Sequence, residues 1–309
     1  MKNSMNILVR ADSSSYIGTG HIMRDLVLAK QFPKDNIIFA TQNLQGNINH
    51  KVVEENYQIE LLKTTDFGEL NQLIKKLNIS MIIIDHYDIN YNFEKKLKEE
   101  NPTLKIFVFD DTYEKHYCDI LLNHNISANE EKYINLVPKN CELRCGKKYT
   151  LLRKEFLEAK KQQNTITKNV KVKTIFIAMG GADHKDLNIK ILKAINKVSN
   201  KNITVNIATT TANKNLEKLK KYCQDKKWIN LYINSNEIAN LMIKSDFAIV
   251  TPSVTVNEVY YLDIPFIAIK TAKNQIDMYK YLKKNGYYVM KELDKKILKK
   301  YIKLFLEKK

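Results

Sequence analysis

The sequence predicts an α/β protein built on parallel sheets. Ten short apolar runs recur along its 309 residues, and most of them are apolar throughout instead of alternating with polar residues. Such runs are typical of strands that are buried on both faces of a parallel sheet. Charged segments with apolar residues at helical spacing lie between the runs, and this alternation indicates βαβ units.

The first half of the chain contains five of the predicted strands. They are Asn6–Ala11, Asn36–Thr41, Met81–Asp85, Lys105–Asp110 and Asp119–Asn123. A helix is predicted to begin near Gly20, because Ile22, Leu26 and Ala29 then share one face. Helical spacing also marks Glu69–Leu77.

The second half repeats the same rhythm. Its predicted strands are Lys173–Ala178, Ile203–Ala208, Asn230–Ile233, Phe247–Val250 and Pro265–Lys270, and Leu187–Val198 has helical spacing. Near the C-terminus, Leu298, Ile302 and Phe305 lie on one helical face among lysines. Such a helix can lie on a membrane or pack on the protein, and we expect it to pack.

The domain division is predicted from a change in composition. The stretch Arg153–Val172 is polar and rich in lysine, and it precedes a new strand, so we interpret it as a linker. The prediction is an N-terminal domain at 1–155, a C-terminal domain at 168–295 and a C-terminal helix at 296–309. Two domains also suit the chain length.

The charge balance invites a nucleic-acid function, but its make-up does not favour one. The formal net charge is +17, yet only four of the 51 basic residues are arginine, and the other 47 are lysines spread over the whole chain. Proteins that recognise bases and phosphates depend on the planar guanidinium of arginine, whose paired N–H donors lysine does not reproduce. We therefore expect a solvated basic surface, no nucleic-acid partner, and some attraction for small anions.

Other features limit the location and the cofactors. The sequence has no apolar run long enough to span a membrane and no signal-like N-terminus, so we expect a cytoplasmic protein without a membrane partner. The four cysteines form no C-x-x-C pair and are expected to be reduced. No Asp-x-Asp pair occurs, so neither a metal requirement nor another cofactor is predicted.

The most informative segment follows the first predicted strand. That strand ends at Asp12, and a Ser/Gly loop with Gly18 and Gly20 leads into a helix. Glycines allow a ligand to approach the backbone, and N–H groups at a helix start bind anions. The segment fails as a dinucleotide fingerprint because Met23 stands where the third glycine belongs.

His21 stands at the start of this helix. The positive end of the helix dipole disfavours a protonated imidazole there. A neutral histidine can take a proton from water or a hydroxyl group, which makes His21 a candidate general base. The alternative is that the ring caps its own helix, and the local sequence does not decide between the two.

Polar residues also follow two other strands of the first half. Asp85, His86 and Tyr87 come at the end of an apolar strand, where open α/β sheets bind ligands, although they also fit a local turn. Asp110 and Asp111 repeat the pattern on a neighbouring strand. For this pair we favour structural turn chemistry.

The second half offers groups suited to a nucleotide. Met179, Gly180 and Gly181 form a glycine turn between a strand and a helix, which presents backbone N–H groups to a phosphate without a P-loop lysine. The start of the helix that follows is expected to help bind the phosphate. Glu258 follows another strand, and a carboxylate there can accept hydrogen bonds from ribose hydroxyls or simply favour the helix start. Asn274 follows the next strand.

These motifs, in this order, resemble the UDP-sugar hydrolases of pseudaminic acid biosynthesis. The residues that carry the resemblance are Arg10–Lys30, Ile84–Tyr87, Cys118–Asn123, Arg144–Gly146 with Tyr149 and Arg153, Met179–Gly181 and Val256–Glu258. That family cleaves UDP-2,4-diacetamido-2,4,6-trideoxy-β-L-altropyranose to UDP and the free sugar. The glycine loops alone would match any glycosyltransferase of the GT-B kind.

The resemblance implies a GT-B-like fold, with two Rossmann-like domains whose parallel sheets face an interdomain cleft. It implies that His21 is the catalytic base, that Tyr87 lies near the sugar, that Glu258 holds the ribose and that Asn274 reaches the substrate. The full set of predicted substrate- or UDP-binding residues is Asp12, Gly20, Tyr87, Arg153, Met179, Gly180, Gly181, Glu258 and Asn274. The predicted partner is a small-molecule UDP-sugar, and we expect a monomer.

Two other functions remain possible at this point. A GT-B glycosyltransferase would share the fold and the nucleotide site, but would need an acceptor. A binding module for a UDP-sugar or a nucleic acid would bind without turnover, and oligonucleotide binding would depend steeply on salt.

Overall fold

The computed structural model describes residues 4–165, 172–198 and 202–307. The chain divides into two compact units, Met1–Leu151 and Leu152–Lys309. Each unit is built on its own parallel sheet with helices between successive strands. The predicted α/β class with parallel strands is confirmed.

The first unit contains a seven-stranded sheet with the order β3-β2-β1-β4-β5-β6-β7. Its elements are β1 (Asn6–Ala11), α1 (Gly20–Ala29), β2 (Asn36–Gln42), α2 (Asn49–Glu54), β3 (Gln58–Leu62), α3 (Phe67–Lys76), β4 (Met81–Asp85), α4 (Tyr91–Glu100), β5 (Lys105–Phe109), β6 (Ile120–Asn123) and β7 (Glu142–Cys145). Short 3₁₀ helices lie at Glu130–Tyr133 and Lys147–Tyr149.

Both faces of this sheet are covered, which explains why its central strands are apolar over most of their length. Along β1, Leu8 packs into the apolar cluster that includes α3 and α4, whereas Ile7 and Val9 pack into the cluster that includes α1. Side chains alternate between the faces of a strand, so a strand buried on both faces has apolar residues at most positions and not only at alternate ones.

The second unit contains a six-stranded sheet with the order β10-β9-β8-β11-β12-β13. Its elements are α5 (Lys154–Gln162), β8 (Lys173–Ala178), α6 (Asn188–Asn196), β9 (Ile203–Thr209), α7 (Leu216–Cys223), β10 (Ile229–Ile233), α8 (Ile238–Ile243), β11 (Phe247–Val250), α9 (Val254–Tyr261), β12 (Phe266–Ile269), α10 (Ile276–Lys284), β13 (Tyr288–Met290) and α11 (Lys295–Glu307). Short 3₁₀ helices lie at Gln163–Thr165 and Lys273–Gln275.

The predicted linker differs from the structure. Residues 154–162 form α5, which packs against α8. Phe156 is fully buried and Ala159 is nearly so. Two apolar residues at positions three apart were enough to bury one face of this lysine-rich helix. Positions 166–171 of the predicted linker lie outside the described residues.

The last helix, α11, packs into the core of the second unit. Leu298, Ile302 and Phe305 are buried in a cluster with strand residues, and Phe305 stacks on Phe247 of β11 at a centroid distance of 4.9 Å. The lysines lie on the other faces. Among the described helices, none is long and apolar enough to cross a membrane.

A charged cluster is buried in the first unit. The His116 Nδ1 lies 2.7 Å from Oε1 of Glu94, a fully buried residue of α4, and its Nε2 lies 3.9 Å from Oδ1 of Asp110. Burial lowers the pKa of His116, but the two carboxylates outweigh burial and raise it to about 9. His116 therefore carries the positive charge that balances these acids at neutral pH.

We expect this cluster to make stability depend on pH. Because the pKa of His116 is raised on folding, its contribution is complete below about pH 6.5 and is lost as the pH rises through about 9. The shift corresponds to about 3 kcal/mol in the free energy of unfolding. Urea unfolding between pH 6 and 10 measures the loss, and His116→Gln should remove this part of the pH dependence. Equal slopes for wild type and variant would contradict the assignment.

Candidate active site

The candidate base and its partner flank the point where the strand order of the first sheet reverses. Helix α1, which carries His21, follows β1, and Asp85 is the last residue of β4, the strand that pairs with β1. Residues that follow β1 and β4 meet at the carboxyl edge of the sheet, at its topological switch point. Open α/β sheets bind their ligands at this place.

The His21 ring binds a carboxylate and does not cap its helix. Its Nδ1 lies 2.7 Å from Oδ1 of Asp85, and the residue is only 9% exposed. An ionised carboxylate only accepts hydrogen bonds, so Nδ1 donates and carries the proton of the neutral ring. In this tautomer Nε2 is the nitrogen with the lone pair, which is the requirement for a general base.

Asp85 is held by Arg24, which lies one turn after His21 on α1. The Arg24 Nε donates to Oδ2 of Asp85 at 2.6 Å, and its Nη2 donates to Oδ1. Burial raises the pKa of Asp85, but the charge and hydrogen bonds of Arg24, together with the hydrogen bond from His21, bring it well below its usual range. The carboxylate is therefore ionised at neutral pH, although it is buried.

Tyr87 and Asp111 complete the surroundings of His21. The Tyr87 ring meets the His21 ring edge to face at a centroid distance of 5.1 Å, and its hydroxyl donates to Oδ1 of Asp111 at 2.9 Å. The other oxygen of Asp111 lies 3.5 Å from Nη1 of Arg24. Tyr87 is 53% exposed, so its ring is accessible from solvent beside the candidate base.

Asp12 lies nearby at the end of β1, with internal partners. Its carboxylate pairs with the fully buried Arg10 at 2.8 Å, accepts from the backbone N–H of Gln42 at 2.7 Å and contacts Nε2 of His86 at 3.1 Å. Burial raises the pKa of Asp12, but the His86 and Arg10 contacts bring it well below its usual range. Gly20 is the first residue of α1, and substrate contacts by Gly20 and Asp12 stay predictions.

In the second unit, the predicted nucleotide residues follow three adjacent strands. Met179–Gly181 follow β8, Glu258 lies on α9 after β11, and Asn274 follows β12. Because β8, β11 and β12 are neighbours in the sheet, these residues share its carboxyl edge. The strand order reverses between β8 and β11, so this edge also has a topological switch point.

The glycine turn after β8 requires its glycines. Gly180 has a φ of +79°, which residues with a side chain rarely adopt. A Cβ atom on Gly181 would lie 2.8 Å from the Thr210 side chain. The helix start that follows differs from the expected anion site. The carboxylate of Asp183 accepts from the backbone N–H groups of Leu187 and Asn188, at 2.8 and 3.0 Å, and so occupies the first amides of α6.

Arg153 and Glu258 lie together, and Asn274 is an exposed residue of the 3₁₀ helix Lys273–Gln275. The Arg153 Nη2 donates to Oε1 of Glu258 at 3.0 Å, and Nη1 lies 2.7 Å from Glu155. Burial raises the pKa of Glu258, and Arg153 opposes that rise. Glu258 therefore has a charged neighbour that the sequence spacing of more than 100 residues did not reveal.

The described residues contain no cluster of three or more His, Cys, Asp or Glu side chains arranged to hold a metal. The chemistry available at the candidate site is that of a histidine oriented by a carboxylate. Two of its residues, Arg24 and Asp111, were missed as site residues, and Asp85 was treated as weak evidence. The available signal was the shared carboxyl edge of β4 and β5, since Asp85 and Asp111 follow strands that are adjacent in the sheet.

Sequence similarity to a known enzyme identifies the family. The chain is 41% identical over 285 residues to the UDP-2,4-diacetamido-2,4,6-trideoxy-β-L-altropyranose hydrolase of Campylobacter jejuni. The aligned region covers 92% of this chain and 98% of that protein. The chain belongs to this hydrolase family. The predicted resemblance is thereby confirmed.

Two other proteins resemble the chain at lower sequence identity. An uncharacterised protein of Methanocaldococcus jannaschii, MJ1062, is 31% identical over 91% of the chain, which spans 59% of that protein. The spore coat polysaccharide biosynthesis protein SpsG of Bacillus subtilis is 23% identical over 88% of the chain and 79% of that protein. No protein-family model matches the chain.

Solved structures place the chain in the GT-B class of folds. MurG of Acinetobacter baumannii superposes on this chain with a TM-score of 0.65 at 11% identity, and the superposition covers 98% of this chain and 91% of the MurG chain. The spinosyn rhamnosyltransferase SpnG has a TM-score of 0.64 at 12% identity, with 98% and 92% covered. At such low identity these matches show the fold alone, and they confirm the predicted two-domain GT-B-like architecture.

Proposed function

We propose that this protein hydrolyses UDP-2,4-diacetamido-2,4,6-trideoxy-β-L-altropyranose to UDP and the free sugar, a step of pseudaminic acid biosynthesis. The family membership supports the substrate, since the C. jejuni relative named for that reaction matches 92% of the chain. The observation that carries the chemistry is the pairing of His21 Nδ1 with Asp85 at 2.7 Å. It sets the tautomer that a water-activating base needs.

In the proposed reaction, His21 acts on water. Nε2 takes a proton from a water molecule while the water oxygen attacks the anomeric carbon from the face opposite the UDP oxygen. The bond between that carbon and the UDP oxygen breaks, its electron pair leaves on the diphosphate, and the configuration inverts. UDP is a good leaving group because its diphosphate already spreads negative charge, so no strong general acid is required.

The first unit is proposed to supply the base and the sugar contacts. Tyr87 is the best supported of these contacts, because its ring is exposed and touches His21. Asp12 and Gly20 flank the same loop, since Asp12 directly follows β1 and Gly20 begins α1. Their contribution would be to shape the loop or to contact the sugar directly.

The second unit is proposed to supply the UDP contacts. Because Asp183 occupies the first amides of α6, we assign the diphosphate to the backbone of Gly180 and Gly181 itself. Glu258 is proposed to accept hydrogen bonds from the ribose, with Arg153 compensating its charge. Met179 and Asn274 are proposed as further substrate contacts. The reaction needs no metal or cofactor in this scheme.

One assay tests the reaction and the bond that breaks. Purified protein is incubated with the UDP-sugar in ¹⁸O-labelled water, with EDTA and without an acceptor, and the products are followed by NMR and mass spectrometry. We expect free sugar that carries the label, unlabelled UDP and inverted configuration at the first turnover. Label in UDP would exclude attack at carbon, and turnover only with an added acceptor would favour a glycosyltransferase. Loss of turnover in EDTA would contradict metal independence.

The proposal also includes the protein's state and partners. We propose a cytoplasmic monomer that acts on a small molecule and has no nucleic-acid or membrane partner. The lysine-dominated composition supports the absence of a nucleic-acid partner. Sedimentation of the purified protein, alone and with an oligonucleotide at two salt concentrations, tests both parts. Steeply salt-dependent oligonucleotide binding would contradict the second.

A further inference from the structure

We propose that Arg24 and Asp111 are positioning residues for His21, an inference that rests on the proposed function of His21 as the base. Five side chains form a closed ring of contacts: His21, Asp85, Arg24, Asp111 and Tyr87. We call these residues the His21 ring. Arg24 holds Asp85 against one side of the histidine and, through Asp111, holds the aromatic ring of Tyr87 against the other.

The first half of the ring fixes the histidine nitrogen. Both His21 Nδ1 and Arg24 Nη2 donate to the same oxygen of Asp85, Oδ1, which explains why these two nitrogens lie only 3.2 Å apart. The second Asp85 oxygen accepts from Arg24 Nε at 2.6 Å. A bidentate pair holds the carboxylate in one orientation, so Oδ1 stays in line with the histidine.

The second half of the ring fixes Tyr87. Asp111 receives Arg24 Nη1 at 3.5 Å on one oxygen and the Tyr87 hydroxyl at 2.9 Å on the other. Tyr87 is an exposed residue in a loop, and the hydroxyl bond restrains the end of its side chain that is farthest from the backbone. The restraint keeps the tyrosine ring at 5.1 Å from the His21 ring.

Only an arginine can serve both halves. Its guanidinium presents Nε and Nη2 to Asp85 and Nη1 to Asp111, and the plane of the group is held over the Phe109 ring at 4.9 Å. A lysine ammonium at position 24 would keep the positive charge but lacks the planar fork. Replacing Arg24 by lysine therefore separates the geometric role from the charge.

The pH dependence of kcat/KM is expected to involve the charged and titratable groups that face the His21 ring. They are Asp85 at the end of β4, Arg24 and Asp25 on α1, Tyr87 and Asp111 in the loops after β4 and β5, and His124 after β6, which interacts electrostatically with Arg24 and Asp85. Arg24 is the largest of the influences that lower the pKa of the buried Asp85 carboxyl, so removal of its charge raises that pKa and leaves His21 without an ionised partner at acid pH. Arg24→Met should therefore move the acid limb of the kcat/KM profile to higher pH, whereas Arg24→Lys should not.

The first test does not depend on turnover. ¹⁵N-NMR of the histidine side chains, with His21 assigned by its loss in His21→Gln, reports which ring nitrogen carries the proton. We expect the Nδ1–H tautomer in the wild type and a mixture in Arg24→Lys. An Nε2–H tautomer in the wild type would overturn the positioning proposal whatever the reaction. Absence of hydrolysis together with an Nδ1–H tautomer would instead overturn only the proposed function.

The second test is kinetic. We expect Arg24→Lys to lower kcat by about 10- to 100-fold with little change in KM, because a small misplacement of a catalytic group has an effect of this size. The matched control is Arg144→Lys, since Arg144 binds Glu142 on β7, outside the His21 ring. Unchanged kcat in Arg24→Lys would overturn the proposal. If Arg24→Met fails to fold, Arg24→Lys and the variants below still decide.

The third test isolates the link through Asp111. Tyr87→Phe keeps the aromatic ring and removes the hydroxyl group that donates to Asp111, while Asp111→Ala removes the carboxylate that accepts this hydrogen bond. Each should lower kcat by about 5- to 30-fold, and the double variant should be no slower than Asp111→Ala, because that change already removes the acceptor of the Tyr87 hydroxyl. Additive losses would show that Asp111 does not act through Tyr87.

Discussion

Replacement of His21 by leucine is expected to lower kcat by roughly 10²- to 10⁴-fold, with a smaller change in KM. Leucine fills a similar volume at a position that is only 9% exposed, but it cannot take a proton from water. The loss falls mainly on kcat because proton transfer occurs in the transition state and contributes little to substrate binding. Steady-state kinetics of UDP release measures both constants.

The control for this variant is another histidine that receives the same substitution. His50→Leu changes an exposed residue of α2, and its kcat should equal that of the wild type.

Asp85→Asn should give a partial loss of kcat, since an amide can present its NH₂ group to Nδ1 and so favour the wrong tautomer. Near-normal turnover in His21→Leu would refute the assignment of this residue as the base.

Replacement of Asp12 by alanine is expected to reduce the free energy of unfolding by about 3–5 kcal/mol. Arg10 is fully buried, and Asp12, which is 2% exposed, pairs with its guanidinium. Without Asp12 the guanidinium keeps its charge in the core of the first unit, with the Ala40 carbonyl as one remaining acceptor. Urea unfolding followed by circular dichroism measures the change.

Two further variants separate pair loss from charge burial. Arg10→Met combined with Asp12→Ala removes both charges, so it should recover much of the lost stability. Glu54→Ala breaks the exposed pair with Lys51 and should leave the unfolding midpoint unchanged. If Asp12→Ala kept its stability and lost only substrate affinity, Asp12 would be a binding residue, as the sequence predicts, and not a structural one.

The strands show where sequence patterns carry enough information. Four central strands, β1, β4, β8 and β11, have the predicted bounds. Three strands were missed, and all three, β3, β7 and β13, lie at sheet edges. An edge strand has one neighbour and more exposed residues, so it needs no continuous apolar run and offers little pattern to recognise.

The second unit shows a limit of composition arguments. The lysine-rich stretch after Leu151 was expected to link two domains, but Phe156 anchors α5 in the second unit. In the glycine turn, the expected anion site at the start of α6 is filled by Asp183, whose carboxylate lies four and five residues before the amides it binds. A single buried aromatic ring and a local carboxylate each changed the outcome, and neither alters the average composition.

The candidate active site divides in the same way. His21 and Tyr87 could be chosen from the sequence because they stand beside a glycine loop and after an apolar strand, and the family resemblance covers both. The partners of His21 could not be chosen, since Arg24 meets Asp85 and Asp111 at sequence separations of 61 and 87 residues. The two carboxylates follow different strands, and only the strand order brings them to one arginine.

The sequence by itself determined the α/β class, the central strands, the family and the candidate base, because each is encoded in local apolar pattern or in contiguous motifs. The tertiary structure alone decided which nitrogen of His21 is engaged, which carboxylates are ionised and which helix amides are already bound. Those properties depend on burial and on charges a few ångströms apart in space. Such distances are set by strand order and packing, which no local pattern records.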